Sequence, residues 1–111
     1  MGDQSQENVE KFRIRPERAQ KEIKRLAENS ENIKWSRHAL ERMEERGIDD
    51  IDVLRALRTG FIAGLPEATQ DPGWKCKMVK QIRGSREVGV VTIIIRSSYL
   101  LIKTVEWEDG E

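Results

Sequence analysis

His38, Arg42 and Arg46 stand four residues apart in the run Arg37-His-Ala-Leu-Glu-Arg-Met-Glu-Glu-Arg46. On a helix, residues at i and i+4 lie one above the other, so this spacing puts an imidazole and two guanidinium groups on one stripe. Such a stripe suits a phosphodiester. In metal-free RNA cleavage the ribose 2′-hydroxyl attacks the adjacent phosphorus, protons must be moved, and charge growing on the phosphoryl oxygens must be held. Histidine exchanges protons near neutrality and the arginine fork matches phosphate geometry. His38 is therefore the candidate proton carrier, with Arg42 and Arg46 the candidate oxyanion ligands. It is the only histidine, so a second proton carrier has to be a lysine, Tyr99, a carboxylate such as Glu41, or water. A plainer reading stands beside this one. Glu41, Glu44 and Glu45 interleave with Arg37, Arg42 and Arg46, the usual pattern of a solvated helix face with weak ion pairs, and a histidine near a helix start can simply bond the backbone.

The second constellation is a basic stretch. Between Trp74 and Lys103 lie Lys75, Lys77, Lys80, Arg83, Arg86, Arg96 and Lys103 against Glu87 alone, a local balance of +6. Strand alternation in Trp74-Lys-Cys-Lys-Met78 gives one apolar face and one positive face. A cationic sheet can follow a phosphate backbone, which makes Lys75, Lys77, Lys80 and Arg83 candidate RNA contacts. Lysines on an edge or solvent-facing strand equally serve solubility.

Other residue types offer less. Cys76 is the only cysteine and has no partner marking it as a nucleophile. Gly-rich phosphate loops, paired-carboxylate metal motifs and zinc-ligand clusters are missing, so neither metal nor cofactor is expected. Trp35, Trp74 and Trp107 read first as packing residues. The net charge of zero argues against coating nucleic acid by bulk charge. Duplex DNA recognition is disfavoured too, because the segment Asp50 to Arg58 offers only Arg55 and Arg58 to a groove. The longest apolar run, Val88 to Ile95, is far too short to span a bilayer. With no export signal and one cysteine, a cytoplasmic, reducing setting is expected.

The elements that must position these residues follow from local signals. A chain of 111 residues implies a single α+β domain. Residues 1–15 read as a flexible lead-in, 16–32 as an N-terminal amphipathic helix opened by Pro16, and 33–108 as the α+β domain. Ser36 is the expected N-cap of a helix from Arg37 to Arg46, which Gly47 ends in a left-handed conformation followed by Ile48. Asp49 caps a second helix with Ile51, Leu54 and Leu57 on its buried side, ended by Gly60. The pattern then turns extended: Phe61 to Leu65, a loop from Pro66 to Gly73, then Trp74 to Ile82, Val88 to Arg96 and Tyr99 to Trp107, an antiparallel meander of three to four strands.

The stretch from Ile33 to Gly60 resembles the domain-of-unknown-function 4258 family. It carries the Ser/Thr-x-His-Ala opening at Ser36, His38 and Ala39, and the Arg-Met-x-x-Arg-Gly-Ile middle at Arg42, Met43, Arg46, Gly47 and Ile48. Gly60 matches the family's helix end, and Lys103-Thr-Val-Glu-Trp107 resembles its last strand. The resemblance implies likeness to the RelE-like and barnase-like ribonuclease toxins, with N-terminal helices packed on a C-terminal antiparallel sheet. It implies a bacterial toxin of a toxin–antitoxin pair, acting as a metal-independent endoribonuclease on RNA that includes ribosome-bound mRNA, with an antitoxin protein as partner. His38, Arg42 and Arg46 would line the site, with Thr104 and Lys77 or Lys75 on facing strands. The alternative is a noncatalytic interaction module in which the stripe is a structural charge network and Pro16 to Asn29 binds a partner.

Overall fold

The structure, a computed structural model, describes residues 13–70 and 72–110. Most of the lead-in segment falls outside the described residues. The elements run α1 (Pro16–Ala27), a 3₁₀ turn (Ser30–Asn32), β1 (Ile33–Trp35), α2 (Arg37–Arg46), α3 (Asp50–Thr59), β2 (Phe61–Ala68), β3 (Gly73–Arg83), β4 (Arg86–Ile95) and β5 (Tyr99–Trp107). This is an α+β fold of helices on a five-stranded sheet in the order β1-β5-β4-β3-β2. β2 to β5 form an antiparallel meander, while β1 joins β5 in parallel, so the sheet is mixed. The expectation of three to four antiparallel strands falls short by this strand. Three residues from Ile33 carry too little pattern to declare a pairing, and only the return of β5 beside them supplies a partner.

The helix boundaries lie where the capping signals put them. Ser36 accepts a hydrogen bond from Ala39 N, and Gly47 takes φ 64° while Ile48 N bonds Met43 O and Gly47 N bonds Glu44 O. That pair of bonds is the Schellman stop, and the left-handed residue in it costs glycine nothing. Asp49 and Asp52 form a reciprocal capping box at the start of α3. Gly60 closes α3 where a Cβ would collide with the carbonyl oxygens of Val79 and Ala56, so the helix end can approach β3 only there without a side chain.

The core lies between the helices and one sheet face. α1 contributes Ala19, Ile23, Leu26 and Ala27, α2 contributes Ala39 and Met43, and the strands contribute Met78, Val88, Val90, Ile94, Leu100, Ile102, Val105 and Trp107. Two readings change here. On α3 the buried set is Val53, Ala56 and Leu57, with Leu54 partly buried, whereas Ile51 is 62% exposed. The helix turns the Val53/Ala56/Leu57 side to the sheet, which carries Ile51 around to solvent. β2 also continues through Pro66 to Ala68, with a break in register between Ala63 and Glu67. An edge strand tolerates the proline, and Gly64 at φ 77° lies in the irregular stretch.

On this geometry Leu57→Ala is expected to lower unfolding free energy by about 2–5 kcal/mol, while Ile51→Ala should change it by less than about 0.5 kcal/mol. Urea denaturation of the two variants checks both.

Candidate functional site at the α2–β5 edge

β1 covers only the first part of β5, with partners Ile33 and Leu100 through Trp35 and Ile102. Beyond that point the outer edge of β5 belongs to α2. Ser36 N bonds Ile102 O, and Ser36 Oγ donates to Lys103 O at 3.2 Å. Arg46 Nη1 donates to Val105 O at 2.6 Å, and Trp107 Nε1 donates to Arg46 O at 2.8 Å. The helix is therefore stitched to the strand at both ends, with Arg46 against the strand edge and Arg42 and His38 one and two turns back along the same helix.

The three members of the stripe are not equivalent. His38 is exposed and has no hydrogen-bond partner among the described residues. Arg42 is ion-paired with Glu45 on its own helix. Arg46 has one guanidinium nitrogen committed to a backbone carbonyl that β1 is too short to reach. An exposed i to i+3 pair such as Arg42–Glu45 is worth a few tenths of a kcal/mol, so an incoming phosphate can displace Glu45 from Arg42 at little cost.

A bulge decides what stands next to the stripe. Val91 pairs with Thr104 but Thr92 pairs with Ile102, leaving Lys103 as the extra residue of β5. The bulge reverses the alternation, so Val105 and Trp107 enter the core while Thr104 and Glu106 share the opposite face. Thr92, buried at this point, donates from Oγ1 to Leu101 O.

The proposed RNA-contact residues do not form one surface. Lys75 and Lys77 lie with Thr104 on the face away from the helices, in register with Ile93 and Val91. Lys80 pairs with Val88, a core residue, and so belongs to the helix side. Arg83 is on that side too, where it bonds Asp52 at 2.9 Å and lies 3.6 Å from Asp49. Much of the local positive balance is cancelled in three dimensions. Lys77 Nζ is 2.7 Å from Glu108 and 3.6 Å from Glu106, and Arg86 pairs with Asp109 while stacking 4.1 Å over the Trp107 ring. Lys77's ammonium is desolvated, which opposes its charge, yet the hydrogen bond to Glu108 prevails and its pKa is raised.

Gly89 makes the Lys77 pair possible. A Cβ there would collide with the Glu108 carboxylate and stand 2.7 Å from Lys77 Cε. Sequence reasoning passed over Gly89, Glu106 and Glu108; the signal was a glycine inside the β-branched run Val88 to Ile95, which marks a close approach. Cys76 is buried, and burial pushes its thiol up to about 12, consistent with a packing role. Among the described residues no group of three or more His, Cys, Asp or Glu side chains is arranged to hold a metal ion, and no helix is long and apolar enough to cross a membrane.

Residues 35–107 match the family described as a domain of unknown function, number 4258. The chain belongs to this family. The match spans every element from Trp35 through Trp107, so the α2 stripe and the β5 edge fall inside the family domain, while α1 precedes it. No curated protein and no solved structure matches the chain.

The Asp49 carboxyl is held below the usual aspartate range, chiefly by the hydrogen bond from Asp52 N and also by Arg83. A carboxylate lowered in the folded state contributes stability that is present above the unfolded value near 3.8 and is lost as pH falls through the folded value. Urea midpoints measured from pH 5 down to pH 2 should therefore fall less steeply for Asp49→Asn than for wild type, by about the contribution of that one group.

Proposed function

We propose that this chain is a metal-independent endoribonuclease, the toxin of a toxin–antitoxin pair, acting along the α2–β5 edge. The observation that carries the reading is His38, exposed and without a hydrogen-bond partner among the described residues, on the same helix as Arg42 and Arg46 at i to i+4 spacing. His38 would move the proton on the attacking or leaving oxygen. Arg42, released from Glu45, would bind the phosphoryl oxygens, and Arg46 would add charge from a position fixed by Val105 O. Lys103, at the bulge beside α2, would carry the flanking backbone, while Thr104 faces the far side of the sheet. Helices packed on one face of the β2 to β5 meander agree with a RelE-like or barnase-like reading, and fold likeness alone does not supply an activity. Lys77 and Arg83 receive no RNA contact here, because carboxylates of the same chain already hold them. Lys75 and Lys80 stand on opposite faces of the sheet, away from the stripe.

The noncatalytic reading has its own support in those same internal pairs, which withdraw Lys77, Arg83 and Arg86 from a polyanion. α1 is a poor docking helix in either case, because its apolar stripe of Ala19, Ile23, Leu26 and Ala27 is already buried.

Expression of wild type from a tight promoter should arrest growth and fragment total RNA. His38→Ala should lower cleavage by about 10²- to 10⁴-fold with an unchanged circular dichroism spectrum. Intact RNA after incubation with the purified protein, with and without ribosomes, would sink the nuclease reading and leave the interaction module.

A further inference from the structure

α1 and the residues leading into it follow the outer edge of β2. Gln20 Oε1 accepts a hydrogen bond from Ile62 N at 2.8 Å near the start of the strand, and Arg13 and Ile14 stand beside Leu65, Pro66, Glu67 and Ala68 near its end. These six residues line a cleft of about 370 Å³. Pro66 is buried and Ile14 is partly buried against the core, whereas Leu65 is 75% exposed.

The strand at this point is a poor template for another strand. β2 breaks its register with β3 between Ala63 and Glu67, Gly64 takes φ 77°, and Pro66 has no N–H to offer a neighbour. A continuous ladder cannot form past such a break. The cleft therefore suits an apolar side chain rather than an added strand.

The chain itself brings one to the cleft. Pro16 holds the residue before it extended, and Arg15 lies at φ −81° and ψ 152°. Burial alternates over Arg13, Ile14 and Arg15 as exposed, partly buried and exposed. In an extended chain the residue two positions before Ile14 shares its side, and that residue is Phe12. It is joined directly to Arg13 at the cleft wall, on the path that runs back from Gln20 along β2.

We propose that Phe12 fills this cleft, so that the chain's own lead-in straps the start of α1 to the outer edge of β2. A phenylalanine ring seated there buries on the order of 150–250 Å² and covers Leu65. β2 is the margin of the sheet opposite β1 and β5, so the strap stands or falls independently of the nuclease reading.

Phe12 and Phe61 are the only phenylalanines. The full chain labelled with para-fluorophenylalanine therefore gives two fluorine resonances, which Phe61→Leu assigns, and Phe61, 64% exposed, is the reference for an accessible ring. The Phe12 resonance should lie away from its position in urea and be broadened less than that of Phe61 by a soluble nitroxide, and Leu65→Ala should move it back towards the urea position. In urea unfolding, Phe12→Ala and Leu65→Ala should each lower the midpoint, and the double variant should lower it by less than the two effects added. A Phe12 resonance at its urea position and as accessible as Phe61, or strictly additive effects of the two variants, would overturn the proposal. So would a Phe12 resonance that returns to its urea position on dilution, since the ring would then sit in the cleft of a second copy.

Discussion

The seam between α2 and the outer edge of β5 governs the rest of the molecule. β1 is three residues long and leaves the carbonyls of Lys103 and Val105 without a strand partner. A backbone carbonyl shut away unpaired costs about as much as a lost hydrogen bond. The sequence solves this with two side chains, one at each end of α2: Ser36 caps the helix and donates to Lys103 O, and Arg46, nearly three turns on, donates to Val105 O. Because both ends of α2 are fixed to one strand, the helix cannot roll. The direction in which His38 and Arg42 project is set by that strand edge.

The same seam explains the bulge at Lys103. Without the extra residue, Thr104 and Glu106 would take the core positions and Val105 and Trp107 would face solvent. With it, Trp107 turns inward, donates to Arg46 O and receives Arg86 over its ring. Arg83 then reaches the capping box of α3. One irregularity therefore links the α2 terminus, the last strand and the start of α3, and it explains why so many cations of the basic strands end on acids of their own chain.

Two faces with different characters result. The α2–β5 edge is polar, carries the only histidine and is fixed from beneath by backbone hydrogen bonds. The open sheet face carries Val91, Ile93 and Leu101, with Glu67 in register opposite Lys75 and Lys77 held by Glu106 and Glu108. The two can coexist in one molecule because the sheet separates them.

The signals legible in the sequence were those confined to a few neighbouring residues. Ser36, Gly47 and Asp49 punctuate the helices through hydrogen bonds between residues at most five positions apart, and the i to i+4 spacing fixed one stripe for His38, Arg42 and Arg46. The family motif was legible for the same reason. What the tertiary structure decided involves partners distant in the chain: β1 pairing with β5, the bulge at Lys103, and the inward turn of Val53 and Ala56 that left Ile51 outside. The charge balance is the plainest case. Counted along the chain, Trp74 to Lys103 is strongly basic. In space, Glu108 stands 2.7 Å from Lys77 and Asp52 stands 2.9 Å from Arg83, because Coulomb attraction depends on distance through space and strand order brings those acids back.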